Sequence, residues 1–455
     1  MKSSLTFLDV INVVSDWIWG PPLLILIVGT GIYLTIRLGF LQITALPFAL
    51  KQAFSKHQDK TSEGDISHFQ ALTTALAATV GTGNIVGVAT AVVLGGPGAV
   101  FWMWLSALFG MATKYAEAVL AVKYRIEDKN GEMAGGPMYY LERGLGQKWL
   151  GMLFALFGAI AAFGIGNMVQ SNSISSVVDA TFHVPTWITG VILTIFTGLV
   201  ILGGIKSIGK VTAFFVPIMA VFYLIAGLII MVSNISEVPA AISLIFSSAF
   251  TGDAAVGGAI GAAIRWGVAR GVFSNEAGLG SAPIAAAAAK TDFPARQALV
   301  SMTQVFIDTI IICSITGITL VMGGIYHDGL KGAELTTATF EKLIGAPGPI
   351  IVAVGLIFFA YSTVLGWAYY GEKCFSYLFG NEAIKYYRVV FVLAVFVGAV
   401  STLDAVWGIA DIMNGLMAFP NLIGLLALSG VVVAETRRFK KVMQEEKAKS
   451  PNMGD

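Results

Sequence analysis

Eleven stretches of mostly apolar residues, each long enough to cross a bilayer, run along this chain and leave it few other ways to fold. The hydrocarbon core needs about 20 such residues per helix. The stretches fall at roughly 18–37, 68–94, 98–121, 149–180, 184–204, 210–232, 255–289, 297–324, 348–372, 386–403 and 406–434. Turn-forming segments separate them, among them Gly95-Gly96-Pro97-Gly98, Val184-Pro185 and Ala346-Pro347-Gly348-Pro349. The run 236–250 is apolar but short, and is expected on the surface. Of the 455 residues, 56% are hydrophobic and 12% charged, about half the charged share of a soluble domain. The expected class is an all-α polytopic membrane protein forming one unit, with its polar loops at 37–66 and 122–148. Asp9 and Asp16, not basic residues, precede the first apolar run. It is therefore expected as a retained span rather than a leader.

Cytoplasmic segments of membrane proteins keep Lys and Arg. With the C-terminus inside, the inside segments hold 23 of the 28 basic residues. They are Arg37, Lys51, Lys56 and Lys60; Lys114, Lys123, Arg125, Lys129, Arg143 and Lys148; Lys206 and Lys210; Lys290 and Arg296; Lys373, Lys385 and Arg388; and six after Glu435. Lys2, Lys331 and Lys342 fall outside, while Arg265 and Arg270 lie within a span. An odd number of spans then puts the N-terminus outside.

Several function classes drop out. A net charge of +1 offers no basic face for nucleic acid. Cys313 and Cys374 have no metal or disulfide spacing. His57, His68, His183 and His327 are scattered and build no hydrolase or metalloprotease motif. The segment 204–210 resembles a phosphate loop, but Val211 stands where Ser or Thr would hold magnesium. A channel would need a continuous polar lining, and the polar residues instead gather at one depth.

That gathering happens at two interrupted helices. The second span carries Val80-Gly81-Thr82-Gly83-Asn84-Ile85, and the seventh carries Phe273-Ser274-Asn275-Glu276-Ala277-Gly278-Leu279-Gly280. Small residues alone would fit close helix packing. Clustered Asn, Ser and Glu at bilayer depth are costly unless they line an enclosed site. Each break opens a group of five spans. Five is odd, so the two groups enter the membrane in opposite directions, as in transporters built on inverted repeats. The expected organisation is an N-terminal segment with an extra helix (1–67), a first repeat (68–232), an outside connector (233–254), a second repeat (255–435) and a basic tail (436–455).

These stretches, with Gly95-Gly96-Pro97-Gly98-Ala99-Val100-Phe101-Trp102-Met103-Trp104-Leu105-Ser106-Ala107-Leu108-Phe109-Gly110, resemble the signatures of the alanine or glycine:cation symporters, also called the sodium:alanine symporter family. The resemblance runs from about residue 10 to 435. It implies a LeuT-like core of ten helices, coupling to sodium, no organic cofactor, and a small neutral amino acid such as alanine or glycine as substrate. It further implies that N–H groups around Thr82 and Gly83 hold the substrate carboxylate. Phe273, Ser274 and Asn275 would offer carbonyls to the ammonium, and Thr79, Gln170 and Trp367 would complete the pocket. Asn167 is expected on the same helical face as Gln170. Asn84 would lend sodium an oxygen; Ser362 and Thr363, with the Ala77 and Val80 carbonyls, would make a second sodium position. Asp308 is open between cation ligand and ion-pair partner. Glu276 is expected to serve structure or gating, with Arg270 a possible partner. A proton-coupled transporter on the same fold, with Glu276 or Asp308 titrating, is the rival reading.

Single cysteines placed at Lys2 and at Ser450 should react with an impermeant thiol reagent from opposite sides of the membrane. Labelling of both from one side would refute the odd span count.

Overall fold

The computed structural model describes residues 6–55, 61–250, 258–402 and 404–449. Lys2, Lys56, Lys60, Ser450 and residues 251–257, where the connector ends and the second repeat begins, lie outside the described residues. The chain opens on α1 (Phe7–Ile18), whose first turn is closed by a reciprocal Thr6–Asp9 capping box. Pro21 at the first position of α2 (Pro21–Arg37) starts a new helix. A second capping box, Ser67 with Gln70, starts α3 (His68–Thr79). Beyond a bend of 53° the chain continues as α4 (Gly83–Gly95). Then follow α5 (Gly98–Lys123), α6 (Lys148–Phe182), α7 (Thr186–Ile201), α8 (Gly204–Ser233) and α9 (Glu237–Phe250). The second half holds α10 (Gly258–Asn275), α11 (Pro283–Ala287), α12 (Pro294–Gly323), α13 (Gly332–Ile344), α14 (Pro347–Phe379), α15 (Ile384–Val400), α16 (Asp404–Ala427) and α17 (Ser429–Lys449). A small hairpin pairs β1 (Ile126–Glu127) with β2 (Met133–Ala134).

Among the described residues, helix covers the larger part of each expected span. Eight helical stretches among the described residues are long and apolar enough to cross a membrane, or nine counting the bent α3–α4 pair. The remaining two places are taken by α7, at 16 residues, and by the interrupted α10–α11. The 236–250 run is the 14-residue helix α9. Gly98 packs against the α9 backbone at Ser248 with no space for a Cβ, and Trp102 donates to the Ala249 carbonyl at 3.0 Å. The signature around residues 95–110 thus docks α5 on α9, and its far end, Gly110, lies against Ala277.

Helix neighbours come in exchanged pairs. α5 packs on α12, α6 on α14 and α7 on α15; α6 also packs on α16, and α8 on α14. The extra helices attach outside this set, α1 on α16 and α2 on α5.

The second break lies later than the sequence suggests. Phe273, Ser274 and Asn275 form the last turn of α10, and the chain leaves the helix at Glu276 (φ 57°), then turns through Gly278 (φ 92°) and Gly280 (φ 88°). Those backbone angles favour glycine, whereas Ser and Asn alone do not end a helix.

Of the described basic residues expected inside, those of the loops collect at one end, and Lys114 does not join them. Lys114 is buried against the Glu276 carbonyl and Glu117, and so does not belong to a polar segment. At that end Lys123 pairs with Glu435 at 2.5 Å and Lys373 with Asp128 and Glu132 at 3.2 and 3.1 Å. The Asp65 N–H donates to the Ala288 carbonyl, and the Lys290 N–H to that of Ile66, both at 2.8 Å. Arg125 straddles the seam, donating to the carbonyls of Ala287, Ala289 and Glu63 at 2.9, 2.7 and 2.8 Å. The segments leading into α3 and out of α11 are thereby stitched together, and this end is shut.

Arg125→Gln should lower the temperature of thermal aggregation in detergent, because carbonyls lose charged donors worth about 1.5–3 kcal/mol each in favourable cases. An unchanged temperature would mean that the seam is held by its backbone bonds alone.

Candidate functional site

α3 ends where Val80 turns extended (φ −76°, ψ 95°), and Gly81 follows. A Cβ on Gly81 would run into the Thr363 hydroxyl, so only glycine lets the break approach α14 this closely. Asn84 spans the gap: its Oδ1 accepts the Gly81 N–H at 2.9 Å. Across the break stand Ser362 and Thr363. Ser362 Oγ lies 3.2 Å from the Ala77 carbonyl oxygen and 3.3 Å from that of Val80, and Thr363 Oγ1 lies 3.3 Å from Val80 O. All four residues are buried. The shorter bonds of both hydroxyls run to the Phe359 carbonyl in their own helix, at 2.8 and 3.0 Å. A hydroxyl has one hydrogen to donate. With those hydrogens on Phe359, the oxygens of Ala77, Val80, Ser362 and Thr363 face one another with no proton between them. Such a cluster suits a small hard cation.

Asp308 joins the two breaks. It lies fully buried in a π-helical stretch of α12, Phe306–Cys313. Its Oδ1 accepts from Asn84 Nδ2 at 2.8 Å, and its Oδ2 from Ser274 and Thr309 at 2.9 and 2.8 Å. Among the described residues no basic side chain forms an ion pair with it in this structure. Asn275 donates to Thr309 at 3.0 Å. Gly83 is the close crossing of the two broken helices, since a Cβ there would meet Ser274 Cα at 3.2 Å.

The second break is fastened from three sides. Glu117 Oε1 accepts the Gly278 N–H at 3.0 Å and Asn421 Nδ2 at 2.7 Å. Trp367 Nε1 donates to Glu276 Oε1 at 3.0 Å, and Ser281 bonds the other Glu276 oxygen. Arg270 does not pair with Glu276; its guanidinium lies over the Trp266 and Phe273 rings, 5.5 Å from each centroid. Lys114, Glu117 and Asn421 went unnoticed in the sequence because one charge or amide in an apolar helix gives no periodic signal. A Lys and a Glu three apart inside one span were the available hint.

A cavity of about 540 Å³ opens at the opposite end from the Arg125 seam and reaches the first break at Thr82 and the last turn of α10 at Phe273. Thr82, Val86, Phe273, Arg270, Trp407 and Asp411 are on its wall. Gln170 Nε2 bonds Thr82 Oγ1 at 3.2 Å, while its buried Oε1 has no partner among the described residues. Asn167 points elsewhere, to the Phe391 carbonyl at 2.7 Å, because the π turn Gly164–Met168 rotates it off the Gln170 face. Trp367 does not line the cavity: it is taken up by Glu276 and packs over Gly166. Thr79 lies below the break, accepting from Gln304 at 2.9 Å.

With two breaks meeting at a buried carboxylate and a cation-sized oxygen cluster, comparison with known proteins is decisive. Residues 4–453 match the sodium:alanine symporter family. The chain belongs to that family. It is 64% identical over 448 residues to the sodium/alanine symporter AgcS of Methanococcus maripaludis, covering 97% of this chain and 99% of that one. YrbD of Bacillus subtilis, whose name contains the words sodium/proton-dependent alanine carrier, is 40% identical over 430 residues, 90% and 88% of the two chains. The crystal structure of MhsT in complex with L-phenylalanine superposes with a TM-score of 0.51 at 15% identity, covering 82% of this chain and 99% of that one. The fold is LeuT-like, and the protein is a membrane transporter, not an enzyme.

Proposed function

We propose that this symporter carries small neutral amino acids, alanine and glycine, into the cell together with sodium by alternating access. Its core is two inverted five-helix repeats within eleven spans, the extra helix at the N-terminus, N-terminus outside and C-terminus cytoplasmic. The observation that carries the reading is the proton-poor oxygen cluster of Ala77, Val80, Ser362 and Thr363 beside the first break. The exchanged helix pairs support the inverted repeats. The name of the relative AgcS supports sodium and alanine.

The chemistry follows from the two helix ends. The N-terminal end of α4 at Thr82 and Gly83 presents free N–H groups and positive dipole to a carboxylate. The last carbonyls of α10, at Phe273 to Asn275, present the opposite end to an ammonium. Gln170 offers its spare oxygen beside Thr82, and the Phe273 ring closes the cavity side. A zwitterion fits between the two helix ends. One sodium belongs at the oxygen cluster. A second belongs near Asn84 and Asp308, where the anionic oxygen offsets the cation's lost water. The basic end is the cytoplasmic one and is shut, so the open cavity faces outward. Sodium and substrate favour the same closed state, which makes their affinities mutually dependent.

Replacing Ser362 and Thr363 together by Ala removes two oxygen ligands without adding charge. The half-saturating sodium concentration for alanine uptake into proteoliposomes should rise by about tenfold or more, about 1.4 kcal/mol of lost binding. High sodium should partly restore the apparent alanine affinity. Sodium dependence identical to the parent protein would remove the oxygen cluster from the mechanism.

The buried, unpaired Asp308 also favours a second reading, coupling to protons, in line with the wording of the YrbD name. Asp308→Asn separates the two. Under sodium coupling it should weaken sodium activation while uptake still fails without sodium; Glu276→Gln should leave sodium dependence in place. Uptake driven by a pH gradient alone in sodium-free vesicles, lost in Asp308→Asn, would establish proton coupling instead.

A further inference from the structure

One face of α12 carries Gln297, Ser301, Gln304 and Asp308, spaced four, three and four residues apart. That spacing puts all four on one helical stripe. Gln297, Gln304 and Asp308 are fully buried and Ser301 nearly so, and the stripe faces α3, against which α12 packs. Its members bond along and across that seam. Gln297 bonds His68, at the start of α3, and donates to Ser301 at 3.2 Å; Gln304 donates to Thr79 at 2.9 Å. From Asp308 to Gln297 the helix rises about 16 Å, roughly half the thickness of a bilayer core. The stripe therefore runs from the level of the breaks to the basic end of the molecule.

We propose that this seam is the route by which the coupling cation leaves Asp308 for the cytoplasm, with Gln304 as a transient ligand on the way. The inference rests on the transport reading above. Polar side chains at bilayer depth commonly serve as hydrogen-bonding links between helices. As such a link Gln304 uses its nitrogen alone. Gln304 Oε1 is buried and has no partner among the described residues, a state that costs stability unless a ligand uses it. Between Asp308 and the His68 level, Gln304, Ser301 and Gln297 offer side-chain oxygens at steps of roughly 5 Å. A partly dehydrated cation can pass between oxygens at such intervals, whereas an apolar seam would strand it. The outlet is closed in this structure, because residues 65–66 and 288–290 are stitched together beyond His68. Parting those two segments, which flank the broken helices, opens the seam at its cytoplasmic end.

The test compares net uptake with exchange. Net alanine uptake under an inward sodium gradient requires sodium to be released inside on every cycle. Exchange of external for internal alanine, with high sodium on both sides, does not. Gln304→Leu and, farther from the breaks, Gln297→Leu with Ser301→Ala should lower net uptake by about tenfold or more. Exchange should stay within about twofold of the parent protein, with the half-saturating external sodium concentration unchanged. Gln304→Asn, which keeps a carboxamide oxygen, should recover much of the net rate. Net uptake and exchange falling together, or neither falling, would overturn the proposal. If Gln304→Leu does not accumulate in the membrane, the distal pair decides by the same ratio. A parent protein whose uptake ignores sodium would sink the transport reading itself, a result distinct from any ratio among the variants.

Discussion

Two helices broken inside a bilayer expose backbone N–H and C=O groups that hydrocarbon cannot satisfy. That constraint orders the rest of the structure. Each break must be enclosed by other helices, and those helices must bring polar groups to it. Asp308 meets both demands at once, because its two oxygens reach Asn84 on one broken helix and Ser274 on the other. The π-helical stretch Phe306–Cys313 around it widens the helix there and aims the carboxylate between them. The carboxylate thus ties the two broken helices together beside their direct crossing at Gly83 and Ser274.

The enclosing layer follows. α5 runs between the second break and the membrane-facing α2, and its Lys114 and Glu117 point inward to Glu276 and Gly278. Burying a Lys and a Glu is tolerable because each finds partners: Lys114 the Glu276 carbonyl, Glu117 both Gly278 and Asn421. α16 supplies Asn421 from the opposite side, and Tyr140 bonds that amide in turn. At the open end α1 reaches over the cavity, where Ser15 donates to Asp411 at 2.8 Å and Asp16 pairs with Arg265 at 2.9 Å. α1 thus shapes the mouth of the cavity.

The sequence made the spans, both interruptions and the basic end legible, because length, apolarity and charge are properties of contiguous residues. Ser362 and Thr363 could be named only through the family resemblance; their proximity to Ala77 and Val80 spans more than 280 positions. Three expectations failed for local geometric reasons. The second break starts at Glu276 because positive φ, not polarity, ends the helix there. Asn167 and Gln170 diverge because a π turn alters the angle between residues three apart. Trp367 is drawn to Glu276, a partner that no spacing rule connects with it. Lys114 shows the limit of charge counting: it is counted with the inside segments although it falls within the expected span 98–121, and the structure buries it in α5.

The two breaks are built to different strengths, and this difference bears on which of them moves ions. Around the second break the contacts are charge-assisted and short, 2.7 to 3.0 Å from Glu117 to Gly278 and Asn421 and from Trp367 to Glu276. Such bonds are about twice as strong as neutral ones. Between α14 and the first break the groups are neutral, and their contacts stretch to 3.2–3.3 Å, well beyond the usual 2.7–2.8 Å between hydroxyl and acceptor oxygens. The Ser362 and Thr363 hydrogens are engaged elsewhere, so these oxygens gain little from one another. A cation placed among them would replace weak oxygen–oxygen contacts with direct ligation, drawing α14 and α3 together. The second break has less slack, since Glu117 Oε1 and both Glu276 oxygens are already occupied by donors. Under the proposed function, ion occupancy therefore acts on the first break, and the second supplies the wall against which it closes.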